Sequence, residues 1–249
     1  MLLSAVVFDF DGVIADSEPL HFEGFRRVLA TQGVALGRRD YYEKYLGYDD
    51  AGAFRAALAD HGQGFDDGRI AGLVADKLAL FPDMVAGQPV IYDGAAACIG
   101  RLGAEVPLAI ASGAALNDIE VVLRGTGLRE RFRTVVAAEH TPRSKPHPDP
   151  YRRAVDILRE QGVIALDTPL RHIVAIEDSV WGLESARDAG LRTVAVTTSY
   201  RADELGIADL VVPSLDAGHG RATSASSASS VTASSDGTTR SAMPSSSAR

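Results

Sequence analysis

Residues 6–13 read Val-Val-Phe-Asp-Phe-Asp-Gly-Val, a short apolar run that ends in two carboxylates and a glycine. An apolar run of this length, rich in Val and Phe, is typical of a buried strand. Because residues i and i+2 of a strand project to the same side, Asp9 and Asp11 are expected to face one small site, unless the chain turns between them at Gly12. Two carboxylates this close repel, so one must be protonated or a cation must lie between them.

Strand and helix patterns alternate downstream of residue 89. The predicted strands cover 106–111, 134–138, 172–176, 193–196 and 209–212, and the predicted helices cover 94–102, 114–124, 149–160 and 179–189. This alternation predicts a parallel sheet with helices on both faces, hence an α/β fold. Such sheets bind ligands at the carboxyl ends of their strands.

Helical patterns alone fill residues 17–88. The predicted helices cover 17–32, 40–46, 49–61 and 67–81, and Ser17 is placed to cap the first of them. No convincing strand lies between them. We interpret the segment as a helical insert, which divides the core into residues 1–16 and 89–216.

The composition restricts the classes of partner. The chain has 249 residues and a net charge of −8, which argues against nucleic-acid or anionic-membrane partners. It has no apolar run near the ~20 residues of a membrane span, and its start lacks the basic region of a signal peptide. The single cysteine, Cys98, suits a reducing cytosol and is predicted to be a small core residue. We therefore expect a cytoplasmic protein. The sequence does not indicate an oligomeric state, and a monomer is compatible with it.

The last segment, residues 217–249, is rich in Ser and Ala and has almost no large apolar residue. Such a segment cannot bury enough apolar surface to offset the entropy of ordering. It is therefore predicted to be disordered.

Polar groups occur at or near the ends of the predicted strands. They are Asp9 with Asp11, Ser112 with Gly113, Lys145, and Glu177 with Asp178. Each alone is a weak signal, since a helix cap, a solvated lysine or strand-end acids would account for it. Prolines flank Lys145 and make a fixed ammonium group more credible. Together the groups predict a phosphate site beside a metal site.

The chemistry of these groups suggests a role for each. Asp9 could attack phosphorus in line as a nucleophile, and Asp11 could act as acid and then as base. Ser112, the Gly113 N–H and Lys145 could hold the phosphoryl oxygens. Mg²⁺ would be bound by hard oxygens, namely those of Asp9, Asp178 and Glu177.

Four segments together resemble motifs I to IV of the haloacid dehalogenase-like superfamily, in order and with the rough spacing of that superfamily. They are residues 8–17, 111–113, 144–151 and 176–182. The resemblance covers residues 1 to about 216. It implies a Rossmann-like core with an α-helical cap domain inserted between motifs I and II, as in the subgroup that contains β-phosphoglucomutase and many small-metabolite phosphatases. It also implies Mg²⁺, with the main-chain carbonyl of Asp11 as a further ligand.

Several functions within and outside this family remain to be separated. A dehalogenase of the superfamily lacks the second Asp and needs no metal, which Asp11 and the acidic pair at 177–178 argue against. A phospho-acceptor receiver module is about half as long as this chain and has no helical insert, which argues against that function. β-Phosphoglucomutase is the close alternative, because His21 and Lys77 stand near the positions of its histidine and substrate lysine. The mutase, however, has an arginine in its cap loop, where residues 44–50 here carry acids.

We therefore predict a Mg²⁺-dependent phosphatase of a small phosphorylated metabolite, such as a sugar phosphate, acting through an aspartyl-phosphate. The acidic cap loop would repel a bisphosphate and suits a monophosphate with a polar or cationic leaving group. His21 and Lys77 are the predicted substrate-side residues. The predicted metal set is Asp9, Asp11, Glu177 and Asp178.

Overall fold

A computed structural model describes residues 2–46 and 48–216, and the segment 217–249 predicted to be disordered lies outside this range. A six-stranded sheet has the order β3-β2-β1-β4-β5-β6, and all five strand pairs are parallel. The strands are β1 Ala5–Phe8, β2 Leu108–Ala111, β3 Phe132–Val136, β4 Ile173–Glu177, β5 Arg192–Val196 and β6 Leu210–Val212. The Rossmann-like α/β fold expected from the sequence is confirmed.

The sheet is buried on both faces, as its alternating side chains show. Val6 and Phe8 of β1 belong to one apolar cluster, whereas Ala5 and Val7 belong to another on the opposite face. Helices α5 Ala95–Glu105 and α6 Leu116–Leu123 pack in the first cluster, and α7 Asp149–Glu160 and α8 Val180–Asp188 in the second. Two apolar faces explain why the strands are nearly continuous apolar runs.

Two strand boundaries differ from the sequence prediction. β2 begins at Leu108 rather than at residue 106, because Pro107 has no N–H to donate to a neighbouring strand. β3 begins two residues earlier than predicted, at Phe132, whose ring packs edge-on against that of Phe8 at 5.9 Å. It ends before a short 3₁₀ turn at Ala138–His140.

The predicted helical insert is helical in the structure. Its elements are α1 Glu18–Thr31, α2 Arg38–Asp40, a π-helical turn at Tyr41–Tyr45, α3 Asp50–Asp60 and α4 Asp67–Val85. They share an apolar cluster of their own, with members from Phe25 to Leu73. We call these elements the cap helices; their division from the core at residues 16/17 and 88/89 stays a prediction. No helix in the described ranges is both long and apolar enough to cross a membrane.

Candidate functional site

The chain turns sharply after β1 and separates the two aspartates. The amide of Asp9 still donates to the carbonyl of Ile176 on β4, as in a continuing strand. The carbonyl of Phe10 then accepts from three successive amides, those of residues 13–15, and Gly12 has a φ of +75°. The turn allowed for at Gly12 is therefore present.

Gly12 is required by space as well as by conformation. A Cβ atom at this position would collide with the carboxylate of Asp178, which follows β4. The missing side chain lets the loop after β1 approach the end of β4 closely. This approach brings the end of the first strand and the acidic end of the fourth into one site.

Three buried carboxylates converge there. Asp9, Glu177 and Asp178 each offer an oxygen, and these oxygens lie within 4.8 Å of one another. Burial, and next the charge of Glu177, raises the pKa of Asp9 to about 8, against the opposing charge of Lys145. The same two causes raise the pKa of Asp178. When all three carboxylates are ionised beside one ammonium the net charge is −2, which an oxygen-ligated divalent cation would neutralise.

Lys145 lies between two of these carboxylates. Its Nζ is 2.6 Å from Asp9 Oδ1 and 2.6 Å from Glu177 Oε1, and it stands 5.1 Å from the centre of the Tyr151 ring. Burial lowers the pKa of Lys145, but the charges of Asp9 and Glu177 outweigh burial and leave the pKa raised. Lys145 is therefore a fixed ammonium group at the site.

Both carboxylate oxygens of Glu177, a predicted metal ligand, already accept hydrogen bonds from several protein donors. Oε1 accepts from Lys145 and from the Tyr151 hydroxyl at 2.7 Å, and Oε2 accepts from the Asp178 amide and from the amide and hydroxyl of Ser179. A Cβ atom at Gly182 on α8 would collide with this carboxylate. Glu177 thus orients Lys145 and the start of α8.

Asp11 points to a different set of partners. Its Oδ1 accepts from the Ser17 hydroxyl and lies 3.3 Å from His21 Nε2, while Oδ2 lies 3.4 Å from Ser112 Oγ. Burial would raise the pKa of Asp11, but the contacts with His21 and the Ser17 hydroxyl outweigh it and lower the pKa. Ser17 does occupy the N-cap position of α1, but its side chain does not cap the helix, because the hydroxyl donates to Asp11 instead.

Behind Asp11 lies a buried row of polar groups. His21 Nδ1 is 3.0 Å from Lys77 Nζ, and Lys77 Nζ donates to both carboxylate oxygens of Asp50 at 2.6 and 2.7 Å. The side chain of Lys77 is 0% exposed and does not line the cleft, so the structure does not place it against a substrate. His21 does line the cleft.

Asp118 on α6 gives a stability prediction. Among the described residues neither of its oxygens has a hydrogen-bond partner, and Lys77 Nζ is 3.9 Å away. Burial raises the pKa of Asp118 to about 6. Between pH 4 and pH 6 the folded chain therefore keeps a proton that the unfolded chain has lost. The free energy of unfolding consequently falls as pH rises through this range. We expect Asp118→Asn to increase this free energy by about 1–3 kcal/mol at pH 8 and hardly at all at pH 4.

Urea unfolding at pH 4, 6 and 8 measures the effect of this substitution. The exposed acid Asp83 offers a matched control, since Asp83→Asn is expected to change stability little at each pH. An equal gain from Asp118→Asn at pH 4 and pH 8 would contradict the assigned cause.

A cleft lies between the carboxyl ends of the strands and the cap helices. At the end next to the strands it is lined by Asp9, Asp11, Gly113, Lys145 and Asp178. On the cap side it is lined by Glu18, Tyr41, Asp49 and Asp50. Ser112 is buried just beneath, where its hydroxyl accepts from the Ala114 amide at 3.0 Å. The structure therefore brings the predicted core residues together around one cleft.

The sequence did not predict two side-chain hydrogen bonds at the site. Ser199, shortly after β5, donates to Asp178, and the rule that ligands meet at strand ends could have identified it. Ser144 donates to Asp49 Oδ2 at 2.7 Å, while Asp49 Oδ1 caps α3 through the Gly52 amide. This second contact joins a cap helix to the loop that carries Lys145, and no local sequence pattern indicates it.

Comparison with known proteins agrees with this geometry. A family model described as haloacid dehalogenase-like hydrolase matches residues 3–190. The chain is 33% identical over 230 residues to protein CbbY of Rhodobacter capsulatus, covering 87% of this chain and 96% of the relative. It is 31% identical over 195 residues to hexitol phosphatase B of Escherichia coli K12, covering 77% of this chain and 82% of the relative.

A solved structure is similar over most of the chain. It is a mutant of CbbY from Rhodobacter sphaeroides in complex with xylulose-(1,5)bisphosphate, with a TM-score of 0.75 and 29% sequence identity, and the match covers 86% of this chain and 95% of that one.

Proposed function

Because the chain belongs to the haloacid dehalogenase-like hydrolase family and is an enzyme related to its phosphatases, we propose that it hydrolyses a small phosphorylated metabolite through an aspartyl-phosphate on Asp9. The observation that carries this proposal is the placement of Lys145 Nζ within 2.6 Å of Asp9 Oδ1, beside Asp178 and at the end of the cleft. A cytoplasmic location stays a prediction from composition, as does the absence of nucleic-acid and membrane partners.

The first half of the reaction transfers the phosphoryl group to the enzyme. A carboxylate oxygen of Asp9 forms a bond to phosphorus while the bond from phosphorus to the ester oxygen breaks. Asp11 donates its proton to the departing oxygen, which leaves as an alcohol. Lys145, the Gly113 amide and Ser112 hold the non-bridging oxygens, over which charge is spread during transfer.

The second half returns the enzyme to its starting state. Asp11, now ionised, removes a proton from a water molecule, and that water attacks phosphorus and breaks the bond to Asp9. Inorganic phosphate leaves and Asp11 is protonated again. The lowered pKa of Asp11 suits the second half, in which the base must be ionised, whereas the first half requires Asp11 to hold a proton when the substrate reacts.

Mg²⁺ fits the crowded, buried and oxygen-rich cluster. Asp9, Asp178 and the main-chain carbonyl of Asp11 would hold it, with Glu177 beside them. When bound, it would neutralise phosphate charge. The Asp11 side chain contacts Ser17 and His21 rather than the metal cluster, so it would remain available for proton transfer.

The charges of the cleft favour a substrate with one phosphate. Among the described lining residues Lys145 is the single amine and there is no arginine, while the cap side carries Glu18 and Asp49, with Asp50 neutralised by Lys77. A second phosphate would therefore meet carboxylates rather than cations. This distinguishes the expected substrate from the bisphosphate in the CbbY complex.

Phosphate release from a panel of phosphorylated metabolites tests this function. We expect release from sugar monophosphates with added Mg²⁺, loss of release with EDTA, and recovery when Mg²⁺ is restored, because a cation is needed to keep the three carboxylates ionised together and to neutralise phosphate charge. Bisphosphates are expected to react at least about tenfold more slowly. Full activity in EDTA would contradict the metal assignment, and preference for a bisphosphate would contradict the charge argument.

A β-phosphoglucomutase activity is the second candidate. It is favoured by the contact of 3.3 Å between His21 Nε2 and Asp11 Oδ1. Incubation with β-glucose 1-phosphate and a trace of the bisphosphate separates the two functions. Glucose 6-phosphate would identify a mutase, whereas free phosphate would identify a phosphatase.

A further inference from the structure

We propose that three aromatic residues at the mouth of the cleft form a platform for the leaving group and select phosphomonoesters whose leaving group is a ring, such as a cyclic sugar. We call Tyr48, Trp181 and Tyr200 the aromatic rim. The inference rests on the proposed phosphatase function and names the class of its substrate.

The rim is continuous with the end of the cleft that is lined by Asp9 and Asp178. Trp181 stands in the first turn of α8, three residues after Asp178, and Tyr200 follows Ser199, which donates to Asp178. The rings of Trp181 and Tyr200 meet edge to face, with their centres 6.0 Å apart. Tyr48 lines the same cleft from the cap side. A group attached to a phosphate at Asp9 therefore leaves the site past these rings.

The exposure of the rim is not explained by core packing. Trp181 is 38% exposed and Tyr48 is 57% exposed, although both are large and partly apolar. Within the described residues Trp181 belongs to none of the four apolar clusters, whereas Tyr200 packs at the edge of the smallest one. Exposed aromatic rings inside a cleft are typical of a binding surface.

The chemistry of the cleft selects a ring with hydroxyl groups. Tyr and Trp offer flat apolar faces with one polar atom each, which suits the C–H face of a cyclic sugar. Glu18, on the same cleft wall, has one oxygen bonded to the Tyr41 hydroxyl at 2.9 Å and can accept from a substrate hydroxyl with the other. A short leaving group such as glycolate has no ring face to offer the rim.

Trp181 is the single tryptophan of the chain, so its fluorescence reports on the rim directly. The full-length Asp9→Asn variant, which is expected not to turn over, is titrated with glucose 6-phosphate, glycerol 3-phosphate and inorganic phosphate. We expect a saturable change in emission with glucose 6-phosphate at a Kd at least about tenfold below that for glycerol 3-phosphate, and no change with inorganic phosphate. Equal responses to all three, or none to glucose 6-phosphate, would overturn the proposal.

Kinetics of Trp181 variants provide the second test. Trp181→Ala is expected to raise KM for the best cyclic substrate about tenfold with kcat within about twofold, and to leave KM for acetyl phosphate unchanged. Trp181→Phe should restore most of the loss because it keeps a ring. Leu166→Ala is the control, since Leu166 is 78% exposed and does not line the cleft. Equal effects of Trp181→Ala on both substrates, or no effect on either, would overturn the proposal.

The two tests separate failure of this inference from failure of the proposed function. If wild-type enzyme releases no phosphate from any substrate, the phosphatase function is wrong, and the fluorescence titration still decides whether the rim binds a cyclic phosphomonoester. If the enzyme is a phosphatase but the rim variants behave like Leu166→Ala, the rim proposal alone is wrong.

Discussion

Asp9→Asn is expected to lower kcat by at least about 10⁴-fold, because the amide cannot attack phosphorus as the carboxylate does. Asp9 is the carboxylate that contacts Lys145 at the end of the cleft, and an amide oxygen can still accept from that lysine. Substrate binding should therefore survive while chemistry stops. Phosphate release in Mg²⁺ measures the loss, and Asp83→Asn is the matched control at an exposed acid.

Two further measurements separate a chemical effect from a folding defect. Wild-type enzyme mixed with ³²P-labelled substrate and quenched in acid should carry label on the protein, and Asp9→Asn should carry none. In EDTA the variant should also unfold at a higher temperature than wild type at pH 9. Burial and Glu177 raise the pKa of Asp9 from 3.8 to about 8, so the wild-type fold loses stability as pH rises between these two values, and an amide does not. Wild-type turnover by Asp9→Asn would contradict the nucleophile assignment.

Asp11→Asn is expected to lower kcat by about 10²–10⁴-fold with little change in KM, since Asp11 would transfer a proton and not bind the phosphate. The loss should depend on the leaving group. An ester of an alkyl alcohol needs a proton on the departing oxygen, whereas p-nitrophenolate leaves without one. The labelled aspartyl-phosphate should therefore form at a near-normal rate from p-nitrophenyl phosphate and accumulate, because the second half still needs the base.

Asp16→Asn is the matched control for this variant. Asp16 is an exposed acid in the same loop, and its carboxylate accepts from the Tyr92 hydroxyl at 3.4 Å. It should retain activity within about twofold. If Asp11→Asn lost less than tenfold with an alkyl phosphate, Asp11 would not be the acid.

Much of the core arrangement could be predicted from the sequence, because parallel strands bring their carboxyl ends to one edge. Asp9, Lys145 and Asp178 were each identified by their place at or near a strand end, and the structure brings them together. The bounds of α7 were predicted to the residue, since prolines precede the helix and a strong apolar stripe runs along it.

The cap side could not be predicted in the same way. Lys77 was expected to face a substrate, and it is buried because Asp50, 27 residues away along the chain, supplies its counter-charge. Ser17 was predicted to cap a helix by accepting from a backbone amide, but its hydroxyl is directed to Asp11, to which it donates. Both outcomes depend on how helices pack against one another, and residue types in a single sequence do not specify such long-range contacts.

The hydrogen bond from Ser144 to Asp49 connects the start of α3 to the loop that carries Lys145. A movement of α3 away from the sheet would have to break this hydrogen bond or displace the residue next to Lys145. Faster escape of products would then come at the expense of alignment during the next encounter.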